Sequence, residues 1–311
     1  MPFKIQILGS NSAIFAHGRH PTSQLLQIHK DTFLVDCGEG TQYQMQKYKA
    51  KPFKISCVFI SHLHGDHYFG LIGLLTSFHL LRRTDKLTVV GLPGLKEVIK
   101  LQLDVAGTKL AYPLEFIETK HEAVLDKIYE SERVEVFTFP LRHKIPCTAF
   151  LFKEKEPLKR INSEAIIGLN LTIENYQELR FGQDIIDADQ VFHKNEKLTL
   201  PGYLPRSYAY CTDTLYTPSI VEYIKEVDLL YHETTFMKNE VERAKVTFHS
   251  TTVQAARIAD LANAGRLLIG HFSSRYADTQ PLLEECMEVF PQTIVAVEGE
   301  VYSIERKAPQ S

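Results

Sequence analysis

Three histidines and one aspartate fall within six consecutive residues, the run His-Leu-His-Gly-Asp-His at positions 62–67. This run directly follows an apolar stretch at residues 55–60, which predicts a buried strand ending at the turn. Imidazole nitrogens and carboxylate oxygens are ligands that zinc and similar transition metals prefer. Such a dense group in one turn is rarely structural. The candidate ligands His62, His64, Asp66 and His67 therefore predict a metal-dependent hydrolase.

A pair of metal ions needs more ligands than one turn can supply. Three further side chains directly follow predicted strands, namely His143, Asp213 and His271. Each of them alone would more often be an ordinary residue. Their shared position is informative, however, because α/β sheets bind ligands at the edge where their strands end. We therefore add these three residues to the candidate ligands.

The remaining pattern predicts the elements that position these side chains. Strands are predicted at residues 3–8, 24–28, 32–37, 55–61, 87–90, 134–139, 147–152, 208–211, 227–231, 266–269, 293–297 and 301–304. Apolar residues at helical spacing predict one helix over residues 71–81, and a second is predicted over residues 250–264, closed by Gly265. The alternation of strands and helices predicts a layered α/β fold with mixed sheets.

The composition is that of a soluble globular protein, with 44% hydrophobic and 23% charged residues in a chain of 311. We find no bilayer-length apolar run and no signal segment, so we expect no membrane association. The five cysteines are scattered without a Cys-x-x-Cys pair, which favours reduced core thiols in a cytoplasmic protein. The net charge of −3 argues mildly against a nucleic-acid binder, although a local basic face remains compatible with it.

Residues 153–206 have a mixed charge and little periodicity, which predicts a long surface insertion, and such insertions are often functional. Eight Lys and Arg stand against nine Asp and Glu in this segment, so it is not basic on average. A local cluster of Lys153, Lys155, Lys159 and Arg160 could still contact phosphates.

The whole set of motifs resembles the metallo-β-lactamase superfamily, whose hallmark is His-x-His-x-Asp-His followed by later His, Asp and His ligands. The resemblance narrows to ribonuclease Z, the tRNA 3′-processing endonuclease. Residues 232–236 (His-Glu-Thr-Thr-Phe) resemble its His-Glu-Ala-Thr box, and residues 248–252 (Phe-His-Ser-Thr-Thr) resemble its His-Ser-Thr loop. Residues 34–40 and 271–276 also match its pattern, and the length is that of the short form.

This resemblance implies an αββα sandwich of two mixed sheets flanked by helices over residues 1–311, with a flexible, protruding arm at 153–206 as a tRNA exosite. It implies two Zn²⁺ per subunit and a homodimer. His62, His64 and His143 would hold one zinc, Asp66, His67 and His271 the other, and Asp213 would bridge them. Asp36 would orient ligands through hydrogen bonds.

The implied reaction is hydrolysis of a phosphodiester by in-line attack of hydroxide. Two cations lower the pKa of a bound water and stabilise charge on phosphorus. Asp66 would take the proton of that water, and His249, oriented by Glu233, would protonate the leaving oxygen. His249 also precedes a predicted helix start, where backbone amides favour phosphate. Arg275, Ser250 and Thr251, with the basic cluster of the arm, are the predicted substrate contacts, and His232 receives no role.

The expected function is removal of the 3′ trailer of precursor tRNA after the discriminator base, leaving a 3′-hydroxyl on the tRNA and a 5′-phosphate on the trailer. One alternative is a zinc phosphodiesterase or sulfatase-like hydrolase of small molecules on the same fold. The arm and the pair of His249 and Glu233 argue for the larger substrate. A metal-free scaffold that only binds RNA is a third hypothesis, against which the complete ligand set argues.

Overall fold

The computed structural model describes residues 1–121 and 125–309 of the chain. Its strands are β1 Phe3–Gly9, β2 Ser23–Ile28, β3 Asp31–Cys37, β4 Ile55–Phe59, β5 Leu87–Gly91, β6 Leu114–Glu118, β7 Asp126–Glu130, β8 Val134–Leu141, β9 Cys147–Glu154, β10 Arg160–Ile161, β11 Ile185–Ile186, β12 Phe192–His193, β13 Thr199–Leu200, β14 Ser207–Cys211, β15 Leu229–Glu233, β16 Leu267–Gly270, β17 Thr293–Val295 and β18 Val301–Ser303. Its helices are α1 Thr41–Lys47, α2 Gly65–Tyr68, α3 Leu71–Leu80, α4 Leu95–Val105, α5 Ile173–Arg180, α6 Asn195–Leu198, α7 Val241–Thr247, α8 Thr252–Leu261 and α9 Gln280–Met287.

The chain forms two compact units. The first, which we call the two-sheet unit, comprises Met1–Lys153 and Ser207–Ile304. The second, the insertion unit, comprises Glu154–Arg206 and the C-terminal residues from Glu305 onward.

The two-sheet unit contains two mixed seven-stranded sheets. Their strand orders are β18-β1-β2-β3-β4-β5-β6 and β17-β16-β15-β14-β9-β8-β7. Aromatic side chains pack between the sheets: Phe59 of β4 lies 5.3 Å from both Phe150 and Phe152 of β9, measured between ring centroids. Burial of these rings removes a large apolar area from water and holds the sheets face to face.

Helices cover the outer face of each sheet. Helix α3 buries Leu71, Leu74, Leu75 and Phe78 against the first sheet, at the helical spacing that predicted it. Helix α8 packs against the second sheet through small residues such as Ala256 and Ala259. The layers are therefore helix, sheet, sheet and helix, which confirms the predicted αββα sandwich.

Parallel strands bring the candidate site residues to one edge. Strands β3, β4 and β5 run parallel in the first sheet, and β14, β15 and β16 run parallel in the second. The motif at residues 62–67 follows β4, Asp213 follows β14, and His271 follows β16. The carboxyl ends of these parallel strands thus bring together side chains that lie far apart in the sequence.

Most predicted elements differ from the observed ones by one to three residues at an end, and two of these differences lie near the candidate site residues. The strand expected at residues 227–231 is β15, Leu229–Glu233, so Glu233 ends the strand itself. The second helix begins at Thr252 because Thr251 and Gln254 form a capping box, and it ends at Leu261 instead of residue 264. Gly265 lies beyond the cap of this helix. A Cβ at this position would lie 2.6 Å from the carbonyl oxygen of Asp228. This glycine is required by a close approach of two backbones.

The five cysteines, Cys37, Cys57, Cys147, Cys211 and Cys286, are buried and form no disulfide. Burial raises the pKa of each thiol. No helix within residues 1–121 and 125–309 is long and apolar enough to cross a membrane.

The insertion unit has a small core of its own. Leu179 of α5, Ile185 of β11 and Leu198 of α6 are buried together. Glu154 and Arg206 form a buried ion pair, in which Arg206 Nη2 lies 2.6 Å from Glu154 Oε1. The segment without clear periodicity therefore folds into short regular elements.

Candidate metal centre

Four ligand atoms form a first group at the edge of the sheets. His62 Nε2 and His143 Nε2 each lie 3.1 Å from His64 Nδ1. Asp213 Oδ2 lies 3.7 Å from His62 Nε2 and 3.6 Å from His143 Nε2. In tetrahedral zinc sites, bond lengths of about 2.0–2.1 Å place neighbouring nitrogens roughly 3.3 Å apart. The spacing of this group therefore suits one such ion.

A second group lies beside the first and shares Asp213 with it. Asp66 Oδ2 lies 3.5 Å from His67 Nε2 and 3.6 Å from His271 Nε2. Asp213 Oδ1 lies 3.4 Å from His67 Nε2 and 3.1 Å from His271 Nε2. One oxygen of Asp213 thus faces each group, which is the geometry of a carboxylate between two cations.

Two nitrogens of the second group lack the partner that buried polar atoms normally have. His67 Nε2 and His271 Nε2 are buried, and neither forms a hydrogen bond with any of the described residues. Both face carboxylate oxygens at 3.1–3.6 Å, but without the alignment that a hydrogen bond requires. A cation between these atoms would satisfy nitrogens and oxygens together, so the residues present fit a metal.

The charge of the centre points the same way. Asp36, Asp213 and Glu233 are buried, and Asp66 is nearly so. Burial lowers the pKa of His67, but the carboxylates of Asp66, Asp213 and Asp36 outweigh it, so that pKa lies well above its ordinary value. These buried carboxylates therefore favour positive charge at this place.

The histidines of the first group have the opposite shift. Burial lowers the pKa of His62, His64 and His143. A neutral imidazole keeps the lone pair that a metal requires.

Hydrogen bonds from surrounding residues hold several of these ligands. Asp36 accepts from His67 Nδ1 at 2.7 Å. The backbone amide of Ala13 donates to Asp66 Oδ2 at 2.7 Å. His143 Nδ1 lies 2.9 Å from the carbonyl oxygen of Phe248. Such contacts fix the orientation of a ligand and raise its affinity for metal.

Three residues of the site have left-handed backbone conformations, which residues other than glycine rarely adopt. The φ angles are 53° at Asp36, 61° at Phe248 and 59° at His271. Strain of this kind persists only where the surrounding structure enforces it, and it concentrates at functional sites.

His249 and Glu233 form the pair that the sequence predicted. His249 Nδ1 lies 2.9 Å from Glu233 Oε1, and Glu233 also accepts from the amides of Thr214 and Thr235. Burial lowers the pKa of His249, but Glu233 and Asp213 outweigh it and raise this pKa to about 9. These carboxylates therefore favour the protonated imidazole.

A cleft of about 480 Å³ opens onto the centre. It is lined by candidate ligands from both groups, by His249, and by Glu39, Phe69 and Lys144. Phe69 is 60% exposed. The centre is therefore accessible to a substrate.

The predicted substrate contacts in the two-sheet unit have partners within the protein. Ser250 is buried and donates to the carbonyl oxygen of Thr214 at 2.7 Å, and Thr251 is the buried cap of α8. Arg275 forms a half-exposed ion pair with Glu240 at 3.5 Å. Lys153 lies over the ring of Phe137.

The basic residues of the insertion unit are engaged locally. Lys159 Nζ donates to Asn195 at 2.7 Å, and Arg160 lies over the ring of Tyr203. Lys155 is half-buried. A phosphate contact by any of these three residues stays a prediction.

Some residues that act through the candidate ligands were not among those predicted from the sequence. Thr235 Oγ1 donates to Glu233 and lies 3.0 Å from His271 Nδ1. It therefore links the pair of His249 and Glu233 to the second ligand group. Thr235 belongs to a motif quoted above, which could have drawn attention to it. The amide of Ala13 left no signal, because a backbone donor is not visible in side-chain types. His232 is buried in β15, with Nδ1 2.8 Å from the carbonyl oxygen of Glu233.

Comparisons with known proteins agree with this geometry. A family model described as Anti-Pycsar protein Apyc1 matches residues 3–145. The chain is 42% identical to ribonuclease Z of Phocaeicola vulgatus over 307 residues, covering 99% of both chains. It is 44% identical to ribonuclease Z of Cytophaga hutchinsonii, covering 98% of this chain and 97% of the other.

Among solved structures, the short form of human tRNase Z superposes with a TM-score of 0.70 at 26% identity. The match covers 97% of this chain and 99% of the human one. The identities with the bacterial relatives, over nearly complete lengths, confirm the resemblance that the motifs indicated. The chain belongs to the ribonuclease Z family of endoribonucleases, which have the metallo-β-lactamase fold.

Proposed function

We propose that this protein is a zinc-dependent endonuclease that removes the 3′ trailer of precursor tRNA. The observation that carries the proposal is the arrangement of two ligand groups around the shared carboxylate of Asp213, with His249 and Glu233 beside them. Family membership supports RNA as the substrate, and the similarity to human tRNase Z supports tRNA.

We assign the ligands as the two groups suggest. His62, His64 and His143 would hold one zinc, Asp66, His67 and His271 would hold the other, and Asp213 would serve both. When bound, two such ions supply an acidified water and stabilise the negative charge that develops on phosphorus. Nitrogen and carboxylate donors at tetrahedral spacing favour zinc over magnesium or calcium, which prefer oxygen ligands.

Protein groups supply the proton transfers. Asp66 borders the cleft and would accept the proton of the attacking water. The water attacks phosphorus, and the bond between phosphorus and the 3′-oxygen breaks. The tRNA then keeps a 3′-hydroxyl and the trailer a 5′-phosphate. Glu233 favours the protonated form of His249, which would donate to this 3′-oxygen as it leaves. Glu233 holds the imidazole from its other side and stabilises its charge.

A polymeric substrate also agrees with features beyond the ligand groups. The exposed ring of Phe69 lines the cleft, where it could stack on an unpaired base. We infer that the insertion unit is the arm expected from the family and that it contributes to tRNA binding. Its near-neutral charge implies that ionic contacts supply only part of that affinity.

We also propose a homodimer in the cytoplasm, as expected for this family. Exposed apolar side chains such as Leu80 and Leu81, which are 69% and 61% exposed, offer surface for a second copy. Light scattering coupled to size-exclusion chromatography should give about twice the monomer mass, and a monomer mass at all concentrations would contradict the proposal.

The decisive experiment compares two substrates with the same enzyme. Purified protein is incubated with precursor tRNA bearing a 3′ trailer and, separately, with bis(p-nitrophenyl) phosphate, before and after zinc removal by a chelator. We expect zinc-dependent release of an intact trailer with a 5′-phosphate. Cleavage of the small ester without cleavage of the precursor would instead support the alternative of a small-molecule phosphodiesterase.

A further inference from the structure

One buried carboxylate beneath the metal centre accepts four hydrogen bonds. Asp36 Oδ1 accepts from the amide of Ser61 at 2.8 Å. Asp36 Oδ2 accepts from Ser61 Oγ at 2.9 Å, from His67 Nδ1 at 2.7 Å and from the hydroxyl of Tyr210 at 2.7 Å. Three of these donors converge on Oδ2 and one on Oδ1, so they fix the orientation of the carboxylate.

Ser61 extends this network to the first ligand group. Its Oγ lies 3.1 Å from His62 Nδ1. His62 Nε2 faces the other ligands of its group, so Nδ1 is the nitrogen that carries the proton and donates to Ser61 Oγ. The hydroxyl of Ser61 in turn donates its hydrogen bond to Asp36 Oδ2. His62 of the first group and His67 of the second are therefore held by the same carboxylate.

Tyr210 reaches this carboxylate from the opposite sheet. Asp36 lies in β3 of the first sheet, whereas Tyr210 lies in β14 of the second. Tyr210 is fully buried and stacks on Tyr231, with ring centroids 4.9 Å apart and planes inclined by 13°. Its hydroxyl also lies 3.2 Å from Thr22 Oγ1. The phenol thus fixes Asp36 from a direction that no other donor to it occupies.

We propose that Tyr210 and Ser61 are positioning residues that hold Asp36 and thereby couple the two metal sites. Tyr210 sets the orientation of His67 and so the affinity of the second site. Ser61 acts on both sites, because it contacts Asp36 and His62. The inference rests on the ligand assignment proposed above.

The test is a pair of matched substitutions, Tyr210→Phe and Tyr231→Phe. Both remove one hydroxyl from a fully buried ring of the same stack, and the hydroxyl of Tyr231 forms no hydrogen bond with the described residues. Zinc affinity is measured for each variant by competition with a chromophoric chelator, together with zinc content. Loss of a contact of this kind typically weakens metal affinity by about 10- to 100-fold.

We expect Tyr210→Phe to weaken the affinity for one of the two zinc ions by about 10- to 100-fold, and Tyr231→Phe to leave both affinities unchanged. Ser61→Ala should weaken the affinity for both ions. Thermal unfolding of the metal-free variants separates folding defects from metal binding: the Tyr210→Phe protein should unfold cooperatively and still bind its first zinc normally.

If Tyr210→Phe bound both ions with wild-type affinity, this inference would be overturned, but the ligand assignment would not. Equal losses in Tyr210→Phe and Tyr231→Phe would also overturn it, because they would indicate general packing of the sheets. A wild-type protein that binds fewer than two zinc ions would overturn the ligand assignment, and this inference with it.

Discussion

The two compact units of this chain are built on different chemical principles. The two-sheet unit buries Asp36, Asp213 and Glu233 within reach of histidines, at a high cost in desolvation that hydrogen bonds and a compensating positive charge offset together. The insertion unit instead has a small apolar core, and its buried carboxylates Glu154 and Asp187 already have partners in Arg206 and His193. The comparison separates chemistry from recognition: we expect the first unit to determine the rate of bond cleavage, and the second to influence only which substrate is held.

The largest effect should come from Asp213→Ala, because this carboxylate faces both ligand groups. We expect zinc content below two per subunit and a loss of at least roughly 1,000-fold in cleavage of both substrates. The matched control is Asp187→Ala in the insertion unit, which also removes a buried, hydrogen-bonded carboxylate. Equal losses of small-ester cleavage in both variants would break the separation of the units.

His249→Ala should divide the two substrates. The 3′-oxygen of RNA is a poor leaving group that needs a proton, so cleavage of precursor tRNA should fall by about 10²- to 10⁴-fold. Bis(p-nitrophenyl) phosphate has a stable leaving anion and should lose much less. Zinc content, measured by elemental analysis, should stay at the wild-type value. Loss of zinc would show that His249 supports the metal centre instead of donating a proton.

Phe69→Ala sharpens the comparison, because it places a recognition contact in the two-sheet unit. Stacking on a base contributes about 1–3 kcal/mol, so the KM for precursor tRNA should rise by roughly 5- to 150-fold while kcat changes little. Hydrolysis of the small ester should keep its kcat. An unchanged KM for precursor tRNA would remove Phe69 from the substrate path.

Simultaneous replacement of Lys155, Lys159 and Arg160 by Gln should have the smallest effect. If these residues contact phosphates, the KM for precursor tRNA rises a few-fold and the salt dependence of binding falls by about one unit of slope per lost contact. Replacement of Lys194 and Lys197 by Gln provides the control for charge in the same unit. The same change in both variants would indicate a general field instead of a specific contact.

The sequence predicted most strands of the two-sheet unit and two of its helices, α3 and α8, for identifiable reasons. The ligands of residues 62–67 are close in the chain, and Asp213 and His271 each directly follow a strand, so strand order alone brings them to one edge. Helix α3 was visible because its buried residues recur at helical spacing. The pair of His249 and Glu233 came from its resemblance to known boxes, since nothing in their spacing indicates a contact.

What the sequence could not predict depends on tertiary geometry. Tyr210 and Ser61 resemble many other core residues, and only the approach of the two sheets brings both to Asp36. The elements of the insertion unit escaped prediction because they are short. Helix α5 buries only Asn175 and Leu179, too few positions to produce a recognisable periodicity.

The buried cysteines give the protein a built-in reporter of unfolding. A thiol reacts as its thiolate, and burial both raises the pKa of these five thiols and shields them from reagents. Alkylating reagents should therefore modify the folded protein slowly, at a rate set by transient opening of the chain. Cys147, whose sulfur lies 3.6 Å from His62 Nδ1, would be labelled only when the region around the first ligand group opens. Its labelling rate with and without zinc would measure how strongly the metal holds the two sheets closed.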